Sequence, residues 1–576
     1  MRPPALFLAC LLATAPTAAA QTPTPTPNAQ ASPAPPRDNQ GQEKTGTSRL
    51  SGRVTAGDTG KPVRRALVRA TSTDNPQPRS VSTDADGRWE LKTLPSGSYR
   101  IRIEKGGYVA VFYGQQRPFA QGKVVDVSEG QTIDKLDVAL PRAGVITGVV
   151  LDEFGEPMTG ARVSAMRYGY MNGQKRLMSV GSSAITDDIG QYRLHGLTPG
   201  EYVIAASTQT AIILGASDDR MGYASTYYPG TAVSAEAQRV RVSEAQEIPQ
   251  VTFNMVATRV ATISGTAVNS AGKPINRGFI SVTSFSESGG PMGFGTQLKP
   301  DGSFQFTNVA AGEYRVSVQY SPSADDNMMP GPPGSASGTE YASVAVNVAG
   351  RDVTGLSLVT ATGGSARGRI TFDGGTPRSA SPAPLMVSAV PMSGTLTPVM
   401  VGGGSARVRD DWTFEVSGLF DRRRFRINGP PAGWYLKSVT YEGTDVTDSG
   451  IDFTQGAKIA NVDVVLTQRM PSVSGSVSDS RDKPASEYVV VAFAADSSKW
   501  GYQTRYVRTA RPNQEGRYSL TGLPADEYFV VALDYVEAGE ETDAEQLEKW
   551  KSLATRVTLS EGEPKALNLK LASQMP

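Results

Sequence analysis

The most regular feature of the chain is a stretch in which apolar and polar side chains alternate on both sides of a short turn. In Thr83–Ile101, Trp89 and Leu91 fall on one side of a first strand, and Tyr99 restarts the alternation after a Pro-Ser-Gly turn. Alternation with a period of two is typical of a strand with one buried face. The stretch therefore predicts a β-hairpin between two core-lining strands.

The same pattern recurs along the chain, which indicates a repeated structural unit. The copies are 83–101, 186–204, 298–316 and 513–530, with a divergent copy at 408–427. In the four regular copies a constant spacing separates a turn glycine from a tyrosine: Gly87 and Tyr99, Gly190 and Tyr202, Gly302 and Tyr314, Gly516 and Tyr528. Glycine supplies the positive φ of such turns. We interpret these residues, together with Trp89, as a structural motif.

The divergent fourth copy departs from this pattern in its turns. Trp412 stands where the other copies have the turn glycine, and one extra residue separates Leu419 from Phe425. The apolar alternation on both strands is kept. We expect this hairpin to keep its core face but to use a different turn.

Each hairpin belongs to a unit of about a hundred residues, the usual size of a single sandwich domain. The unit opens with a strand that carries a glycine in register: Gly52, Gly148, Gly265, Gly368 and Gly475. It ends with a strand such as KLDVAL, VTFNMV or VDVVL. Short alternating strands at this density predict an all-β fold, a tandem array of five Ig-like or transthyretin-like β-sandwich domains.

These features predict the domain organisation. A signal peptide covers 1–20, and a Pro/Thr-rich linker without enough apolar residues for a core covers 21–48. The sandwiches cover 49–141, 142–258, 259–361, 362–469 (the divergent one) and 470–576. Two segments differ from the strand pattern: a low-complexity insertion at 321–340, and 543–555, where Leu547, Trp550 and Leu553 at helical spacing predict one short helix.

The N-terminus has the pattern of an export signal. Arg2 precedes an apolar run and a small-residue site at Ala18–Ala20. A lipoprotein signal ending at Cys10 is the rival interpretation, but the apolar run before it is short. Cleavage near Ala20 predicts a secreted protein (periplasmic, cell-surface or extracellular) whose mature chain has no cysteine, no disulfide and no apolar stretch that spans a bilayer.

The charge balance argues against one class of partner. The chain has 57 basic and 56 acidic side chains, whereas nucleic-acid binding needs a basic surface. The 60 glycines and 39 prolines suit a chain with many short strands and turns. We expect a monomer that does not bind nucleic acid.

The recurring residues resemble a known family, the carboxypeptidase regulatory-like domain. In the first unit they are Gly52, Val54, Gly60, Pro62, Ala66, Val68, Asp86, Gly87, Trp89, Leu94, Pro95, Gly97 and Tyr99. The resemblance extends from about 49 to 573 and is poor in the fourth unit. It implies a seven-stranded transthyretin-like sandwich, grouped with carbohydrate-binding-like folds, and an arrangement similar to tandem arrays that bacteria secrete. A fold of this kind does not by itself imply a function.

The residues do not support catalysis. A zinc peptidase needs two histidines and a carboxylate, and the chain has one histidine, His195, at a polar strand position. Ser-His and Cys-His mechanisms are not supported, because the chain has a single histidine and its one cysteine lies in the predicted signal peptide. From the sequence, no two acidic residues can be placed at a catalytic distance. We therefore expect no enzyme activity and no cofactor.

Two further site chemistries have weak signals. Asp84, Asp86, and the pairs 187–188 and 410–411 lack the spacing of a calcium loop and are better interpreted as turn residues. A lysine–asparagine isopeptide bond, as in some pilin sandwiches, is disfavoured because Lys61, Lys273 and Lys483 lie in predicted turns.

Two groups of residues are candidates for ligand contact. The first is loop aromatics, of which Tyr113, Tyr227 and Tyr228 are the main ones, because exposed rings stack on sugars and extended peptides. Their recurrence after the hairpin favours a loop packed on the sandwich over a binding loop. The second is the run Arg422, Arg423 and Arg424, predicted at a hairpin turn, either as a solvated tip or as a site for an anionic glycan or envelope phosphate.

Repetition without catalytic residues predicts a non-enzymatic secreted rod of five sandwiches that acts as an adhesion or scaffold protein at the cell envelope. The expected partner is a polysaccharide, bound through loop aromatics, or an envelope protein. The alternative is an accessory or sensory module that docks a protein through an exposed sheet edge.

Overall fold

The structure is a computed structural model that describes most of the chain beyond residue 44. The described residues are 45–72, 78–115, 117–120, 122–208, 221–284, 293–320, 339–375, 381–382, 385–392, 404–431, 433–454, 456–513 and 515–572. The predicted signal peptide at 1–20, the linker as far as 44 and the low-complexity insertion at 321–338 lie outside them.

The fold class is confirmed: the described chain forms an all-β tandem array of five sandwiches with one short α-helix in the last. The first four sandwiches have two sheets each, and in the fifth a strand pairing between the two layers joins them into one eight-stranded sheet. In the first sheet, the opening strand pairs antiparallel with the first strand of the hairpin and parallel with the closing strands. The second strand of the hairpin belongs to the second sheet, so the hairpin joins the two sheets around the core.

The strands of the first sandwich are β1 (Ser48–Ala56), β2 (Leu67–Ser72), β3 (Arg79–Ser82), β4 (Arg88–Leu94), β5 (Gly97–Glu104), β6 (Val111–Phe112), β7 (Val124–Val127), β8 (Thr132–Ile133) and β9 (Val138–Leu140). The first sheet has the order β4-β1-β8, with β9 also paired to β1, and the second has the order β3-β2-β5-β6, with β7 also paired to β5. The alternating residues of β4 and β5 point into one core, as the pattern predicts.

The second sandwich repeats this order, and its second and third strands are longer. Its strands are β10 (Gly144–Leu151), β11 (Arg162–Met171), β12 (Gln174–Ile185), β13 (Gln191–Leu197), β14 (Gly200–Ser207), β15 (Met221–Tyr223), β16 (Thr226–Tyr227), β17 (Arg239–Val242), β18 (Glu247–Ile248) and β19 (Phe253–Asn254), with a 3₁₀ helix at Ser234–Glu236. A second apolar cluster, which includes Met166, Leu177 and Val203, covers the outer face of one sheet.

The third sandwich consists of β20 (Ala257–Val268), β21 (Phe279–Ser284), β22 (Gly293–Gln297), β23 (Ser303–Ala310), β24 (Gly312–Tyr320), β25 (Glu340–Val348), β26 (Val353–Val359) and β27 (Ala361–Thr362). Its opening strand β20 is long, and its first residues pair with β15 of the preceding sandwich. This shared pairing connects the second and third sandwiches through backbone hydrogen bonds.

The fourth sandwich consists of β28 (Gly364–Phe372), β29 (Met386–Pro391), β30 (Ser405–Arg407), β31 (Thr413–Leu419), β32 (Arg422–Asn428), β33 (Tyr435–Tyr441), β34 (Thr444–Asp445), β35 (Ile451–Asp452) and β36 (Lys458–Thr467). Here β33 and β34 extend the first sheet beyond the closing strand. The divergent sequence therefore still forms the common plan with an enlarged first sheet.

The fifth sandwich consists of β37 (Ser472–Ser478), β38 (Val489–Ala494), β39 (Val507–Ala510), β40 (Arg517–Leu520), β41 (Asp526–Leu533), β42 (Thr555–Leu559), β43 (Pro564–Ala566) and β44 (Leu569–Ala572), with 3₁₀ helices at Ser497–Lys499 and Glu540–Thr542. Both faces of β38 and β41 are buried, one in the core and one under a second cluster that includes Phe493 and Trp550.

The predicted helix is present as α1 (Ala544–Lys551). The Asp543 side chain accepts a hydrogen bond from the backbone N–H of Glu545 and caps it. Leu547 and Trp550 are buried as expected, but Leu553 lies beyond the helix end and is 47% exposed. Within the described ranges, no helix is long and apolar enough to cross a bilayer.

Candidate functional site

The motif tyrosines form the same hydrogen bond in all four regular hairpins. The hydroxyl of Tyr99 donates to the carbonyl of Pro95 at 2.8 Å, and that of Tyr528 donates to Pro524 at 2.8 Å. Tyr314 donates to Ala310 at 3.0 Å, and Tyr202 donates to Thr198. A buried tyrosine bonded to the backbone just upstream is the tyrosine corner of Ig-like sandwiches. Each of these hydroxyls therefore stabilises the turn between the two strands of its hairpin.

The turn before each hairpin is closed by an Asx bond and a residue with positive φ. In the first hairpin, Asp84 accepts hydrogen bonds from the backbone N–H groups of Asp86 and Arg88, and Gly87 has φ 73°. Asp187 and Asn513 occupy the same place in two other hairpins. Three of the carboxylates considered for calcium, Asp84, Asp187 and Asp411, therefore bond to the backbone of their turns.

The in-register glycines of the opening strands have a common steric reason. A Cβ built on Gly52 would lie 2.2 Å from the carbonyl oxygen of Leu136, and one on Gly475 would lie 1.9 Å from that of Leu567. The same contact is found at Gly148, Gly265 and Gly368. A backbone carbonyl from the closing segment occupies the space of the side chain in all five sandwiches, so only glycine fits.

The turn before hairpin four keeps the regular geometry. Trp412 has φ 66°, its N–H bonds to Arg409, and its carbonyl accepts from Ile370, as Gly87 does with Asp84 and Val54. The indole packs edge-on against Phe372 at 4.9 Å, and this aromatic packing holds a non-glycine residue in the left-handed region. The expected difference in turn is therefore absent here, but the connection between the two strands does differ, because Asp421 in it has φ 59°.

The residue equivalent to the motif tyrosine in hairpin four is Arg423. Phe425 pairs with Ala389 as Ile101 pairs with Ala70, so Arg423 has the position of Tyr99. Arg423 is 8% exposed, and its Nε donates to the carbonyl of Phe420 at 2.6 Å. Burial lowers the pKa of this guanidinium, an effect that nearby Asp421 opposes. A guanidinium thus replaces the phenol of the tyrosine corner.

The arginine run therefore lies in strand β32, which corrects the prediction of a hairpin turn. Arg422 is exposed and donates to the carbonyl of Ser449 at 3.2 Å. Arg424 is half-buried, and its Nε donates to the carbonyl of Asp448 at 2.8 Å. The run bonds to backbone carbonyls of its own sandwich.

The loop aromatics occupy equivalent positions in the first two sandwiches, as their recurrence indicated. The backbone N–H of Tyr113 bonds to Ile101, and that of Tyr228 bonds to the equivalent residue Ile204. Tyr227 is 5% exposed and belongs to the outer apolar cluster of the second sandwich, so it has no free ring face. Tyr113 and Tyr228 are half-buried.

The remaining chemical candidates are scattered over the surface. The His195 side chain is exposed, and its backbone carbonyl accepts from Ser182. In the part of the chain that the structure describes, no group of three or more His, Cys, Asp or Glu side chains could hold a metal ion.

The fifth sandwich contacts the first through two ion pairs. Arg117 lies 3.0 Å from Asp534, and Lys123 lies 2.6 Å from Glu487. Between them is a cavity of about 260 Å³, lined by residues of both sandwiches that include Arg511. We refer to this cavity as the junction cleft.

The fifth sandwich also contacts the second. Arg167 lies 2.8 Å from Glu537 and stacks on the ring of Phe119, which comes from the first sandwich, at 3.8 Å. The two backbones approach closely: a Cβ on Gly539 would lie 2.9 Å from the carbonyl of Tyr170. Burial and four acidic neighbours, Glu540 first, raise the pKa of Tyr170 to about 12. These contacts join the fifth sandwich to a sandwich that is distant from it in sequence.

The contact between the fourth and fifth sandwiches gathers arginines around one carboxylate. Arg505 forms a two-point pair with Asp448, at 2.6 and 3.2 Å. Arg426 donates to the carbonyl of Gln503 at 2.8 Å, and burial lowers its pKa to about 10. Burial also acts to raise the pKa of Asp448, but Arg505, Arg426 and Arg424 outweigh it and the net shift is downward.

Sequence reasoning did not predict these contacts between sandwiches. The partners of Arg117 and Arg167 are hundreds of residues away, so no local spacing connects them. The one signal available was composition: basic 117–123 after the first hairpin, and acidic 537–541 (EAGEE) near the end of the chain.

Comparisons with known proteins give a family for part of the chain. A family model described as the carboxypeptidase regulatory-like domain matches residues 49–141 and 145–243. Among curated proteins, none is a match.

Several solved structures are similar at low identity. The Bacillus anthracis TIE protein is 14% identical, with 55% of this chain and 51% of that chain covered and a TM-score of 0.15. This chain thus spans about half of that protein. GBS52, a minor pilin of Streptococcus agalactiae, is 14% identical (36% and 95% covered, TM-score 0.20), and a streptococcal ancillary pilin is 13% identical (55% and 99% covered, TM-score 0.18).

The family match coincides with the residues of the repeated motif. Both matched segments contain the turn glycine, the tyrosine corner and the opening-strand glycine described above. Residues 49–141 and 145–243 are therefore two tandem carboxypeptidase regulatory-like domains.

Proposed function

We propose that this protein is a non-enzymatic binding or scaffold protein of the cell envelope, exported through the signal at residues 1–20. The observation that carries the proposal is that the polar residues of the repeated motif form hydrogen bonds within their own hairpins. The tyrosine hydroxyls, the Asx carboxylates and Arg423 all bond to nearby backbone, so the repeated motif holds hairpins and leaves no common reactive group.

The contacts between sandwiches support a scaffold role. The fifth sandwich is paired with the first, second and fourth through Arg117, Arg167 and Arg505, all bonded to carboxylates. Modules held in a fixed arrangement present their surfaces at defined distances, so weak sites on different modules reinforce one another. A set of domains with this property suits adhesion to a repetitive polymer or an assembled surface.

The proposal is tested by a pull-down of the chain from residue 21 to 576 on insoluble polysaccharides and on purified envelope fractions, with and without protease treatment. We expect retention on at least one of them at physiological salt. Retention on none, together with turnover of a soluble peptide or glycan substrate, would contradict the proposal.

The first candidate for the ligand is a polysaccharide that binds through the loop aromatics. Its support is the matched placement of Tyr113 and Tyr228, which are only partly buried against the cores of their sandwiches. Replacing both with Ala is expected to abolish retention on the polysaccharide, since stacked rings supply much of the affinity for sugars. Phe154→Ala, at a 75% exposed aromatic outside these loops, is the matched control and should leave retention unchanged.

The second candidate is docking of a protein segment along strand β12. Among the described residues, β12 pairs on one side only, with β11, and its last residue Ile185 is 62% exposed. Beside it lies a groove of about 610 Å³ lined by Val149, Ile185 and Pro249, among others. An extended peptide can add to such an edge. Capture of protease-sensitive envelope material that is lost in Ile185→Lys but kept in Phe154→Ala would favour this candidate over the polysaccharide.

A further inference from the structure

The junction cleft has one unused cation. Arg117 is paired with Asp534, and Lys123 with Glu487, so the charges of these four side chains cancel. Arg511 also lines the cleft, and the described residues provide it with neither a hydrogen bond nor an ion pair. Its electrostatic neighbours are Tyr535, Glu487, Arg100 and Glu541. Around the cleft, four cations (Arg100, Arg117, Lys123 and Arg511) therefore stand against three carboxylates (Glu487, Asp534 and Glu541), which leaves one positive charge in excess.

The chemistry of the walls limits what can fill this space. Tyr488 and Tyr535 also line the cleft, but Tyr488 is packed in the core of the fifth sandwich and the guanidinium of Arg117 lies 5.5 Å from the ring centre of Tyr535. The volume of about 260 Å³ is slightly below the ~300–1,000 Å³ of typical ligand sites, so the space suits a single ring-sized group. A guanidinium without a partner favours a planar anion with two oxygens.

We propose that the junction cleft binds a ring-sized compound with a single carboxylate, anchored to Arg511 by a two-point hydrogen bond. One unpaired cation is matched by one negative charge, whereas a phosphate dianion would leave a charge uncompensated. The carboxylate can come from an acidic sugar or from an acidic peptide, and the chemistry at Arg511 is the same for both.

The position of the cleft gives the site a second property. Gly114, Arg117 and Lys123 come from the first sandwich, while Arg511 and Tyr535 come from the fifth. The site is complete only when the two sandwiches are in contact, so an occupant stabilises that contact by mass action. Burial lowers the pKa of Arg511, although the group stays protonated at neutral pH.

The inference does not depend on the envelope role, because it concerns a soluble ligand at a different site from Tyr113 and Tyr228. The test is calorimetric titration of the chain 21–576 with galacturonate, with galactose as its neutral counterpart, and with an acetylated and C-terminally amidated glutamyl-glycine dipeptide, which carries a single carboxylate. We expect galacturonate or the dipeptide to bind and galactose not to bind; the stronger of the two identifies the source of the carboxylate.

Arg511→Gln is expected to weaken binding by about ten- to a hundredfold, the loss of one hydrogen-bonded charge pair. Arg241→Gln removes a similarly charged but exposed side chain of the second sandwich and should leave the affinity unchanged. Arg511→Lys keeps the charge without the fork, so an intermediate loss with an unchanged melting temperature separates a binding effect from a folding effect. Equal affinity of Arg511→Gln and the unaltered chain, or equal binding of galactose and galacturonate, would overturn the proposal.

Discussion

Hairpin four and the other four hairpins reach the same backbone geometry with different side chains. Where the others have Gly87 and Tyr99 or their equivalents, the fourth has Trp412 and Arg423. The positive φ and the bond to an upstream carbonyl are kept in both solutions. The comparison shows that the fold selects the hydrogen bond and the dihedral angle, and that the residue supplying them can change when neighbouring packing compensates.

Beside both kinds of hairpin, the opening strand carries a glycine. Replacing this glycine with alanine should reduce the stability of the sandwich more than any other change described below. In Gly368→Ala the new Cβ would lie 2.1 Å from the carbonyl of Val462, a backbone atom that cannot move independently. We expect a loss of about 3 kcal/mol in the stability of the fourth sandwich, the upper range for overpacking, and a similar loss in the fifth for Gly475→Ala. Hydrogen exchange of peptides from each sandwich measures this.

Gly106→Ala is the matched control for that experiment, since its Cβ would have no neighbour within 4 Å. A loss in Gly368→Ala no greater than in this control would show that the fourth sandwich has a looser closing strand than the others.

Removal of Arg423 should cost more than removal of a tyrosine hydroxyl. Arg423→Met keeps the apolar stem but leaves the carbonyl of Phe420 without its buried donor, so we expect about 2 kcal/mol, within the range for an unsatisfied buried group. Tyr528→Phe in the fifth sandwich should cost about 1 kcal/mol. Hydrogen exchange of the two sandwiches in the two variants compares them directly.

The neighbouring Arg422→Met serves as control, because this side chain is exposed on the same strand. If Arg422→Met and Arg423→Met destabilise the fourth sandwich equally, the guanidinium of Arg423 is no substitute for the tyrosine corner.

Alkaline pH should destabilise hairpins that contain a buried motif tyrosine, because the tyrosine ionises; hairpin four has Arg423 at that position. Burial raises the pKa of Tyr202 to about 12, above the value of about 10 for an unfolded tyrosine. The folded state holds this proton where the unfolded state has lost it, so its contribution to stability is complete below pH 10 and declines as the pH rises towards 12. Urea midpoints at pH 8 and 11 should therefore fall less in Tyr202→Phe than in the unaltered chain. An identical fall in both would contradict a buried, protonated Tyr202.

The smallest effect concerns the residue two positions after the turn glycine. Trp89 is buried, and its Nε1 has no hydrogen-bond partner among the described residues, whereas Tyr192 and Tyr518 at the same position donate to closing-segment carbonyls at 2.6 Å. Trp89→Phe removes that unsatisfied donor at the expense of some buried area. We expect a net change within about 1 kcal/mol, measured by the thermal unfolding midpoint, which is small for a buried tryptophan. A loss of 3 kcal/mol or more would mean that the indole N–H is bonded.

The sequence allowed the five sandwiches and their hairpins to be predicted, because the period of two, the turn glycines and the tyrosine spacing are local signals. The prediction for Arg423 was wrong because it matched Phe425, the aromatic residue of the divergent hairpin, with the motif tyrosines. The alternation of buried positions instead places Arg423 at the position of the tyrosine. The buried face tolerates a guanidinium because the flexible stem of Arg423 reaches the same carbonyl.

The candidate site could not be predicted in the same way. The junction cleft depends on Lys123 and Glu487, which are far apart in sequence, and on how one folded sandwich contacts another. Such contacts leave no periodic pattern, and their ion pairs involve residue types found throughout the surface. The loop aromatics carried a local signal, and it correctly favoured packing for Tyr227.

The contact of the fifth sandwich with the first has a mechanical consequence. If the protein is pulled through β1 and β44, the load falls first on the pairs of Arg117 and Lys123, not on the sandwiches between them. Exposed ion pairs rupture at much lower force than a β-sandwich unfolds, because their interaction with each other is readily exchanged for water. Under tension, the contact between the first and fifth sandwiches would therefore open first. The distance between the two ends would increase while every sandwich stays folded.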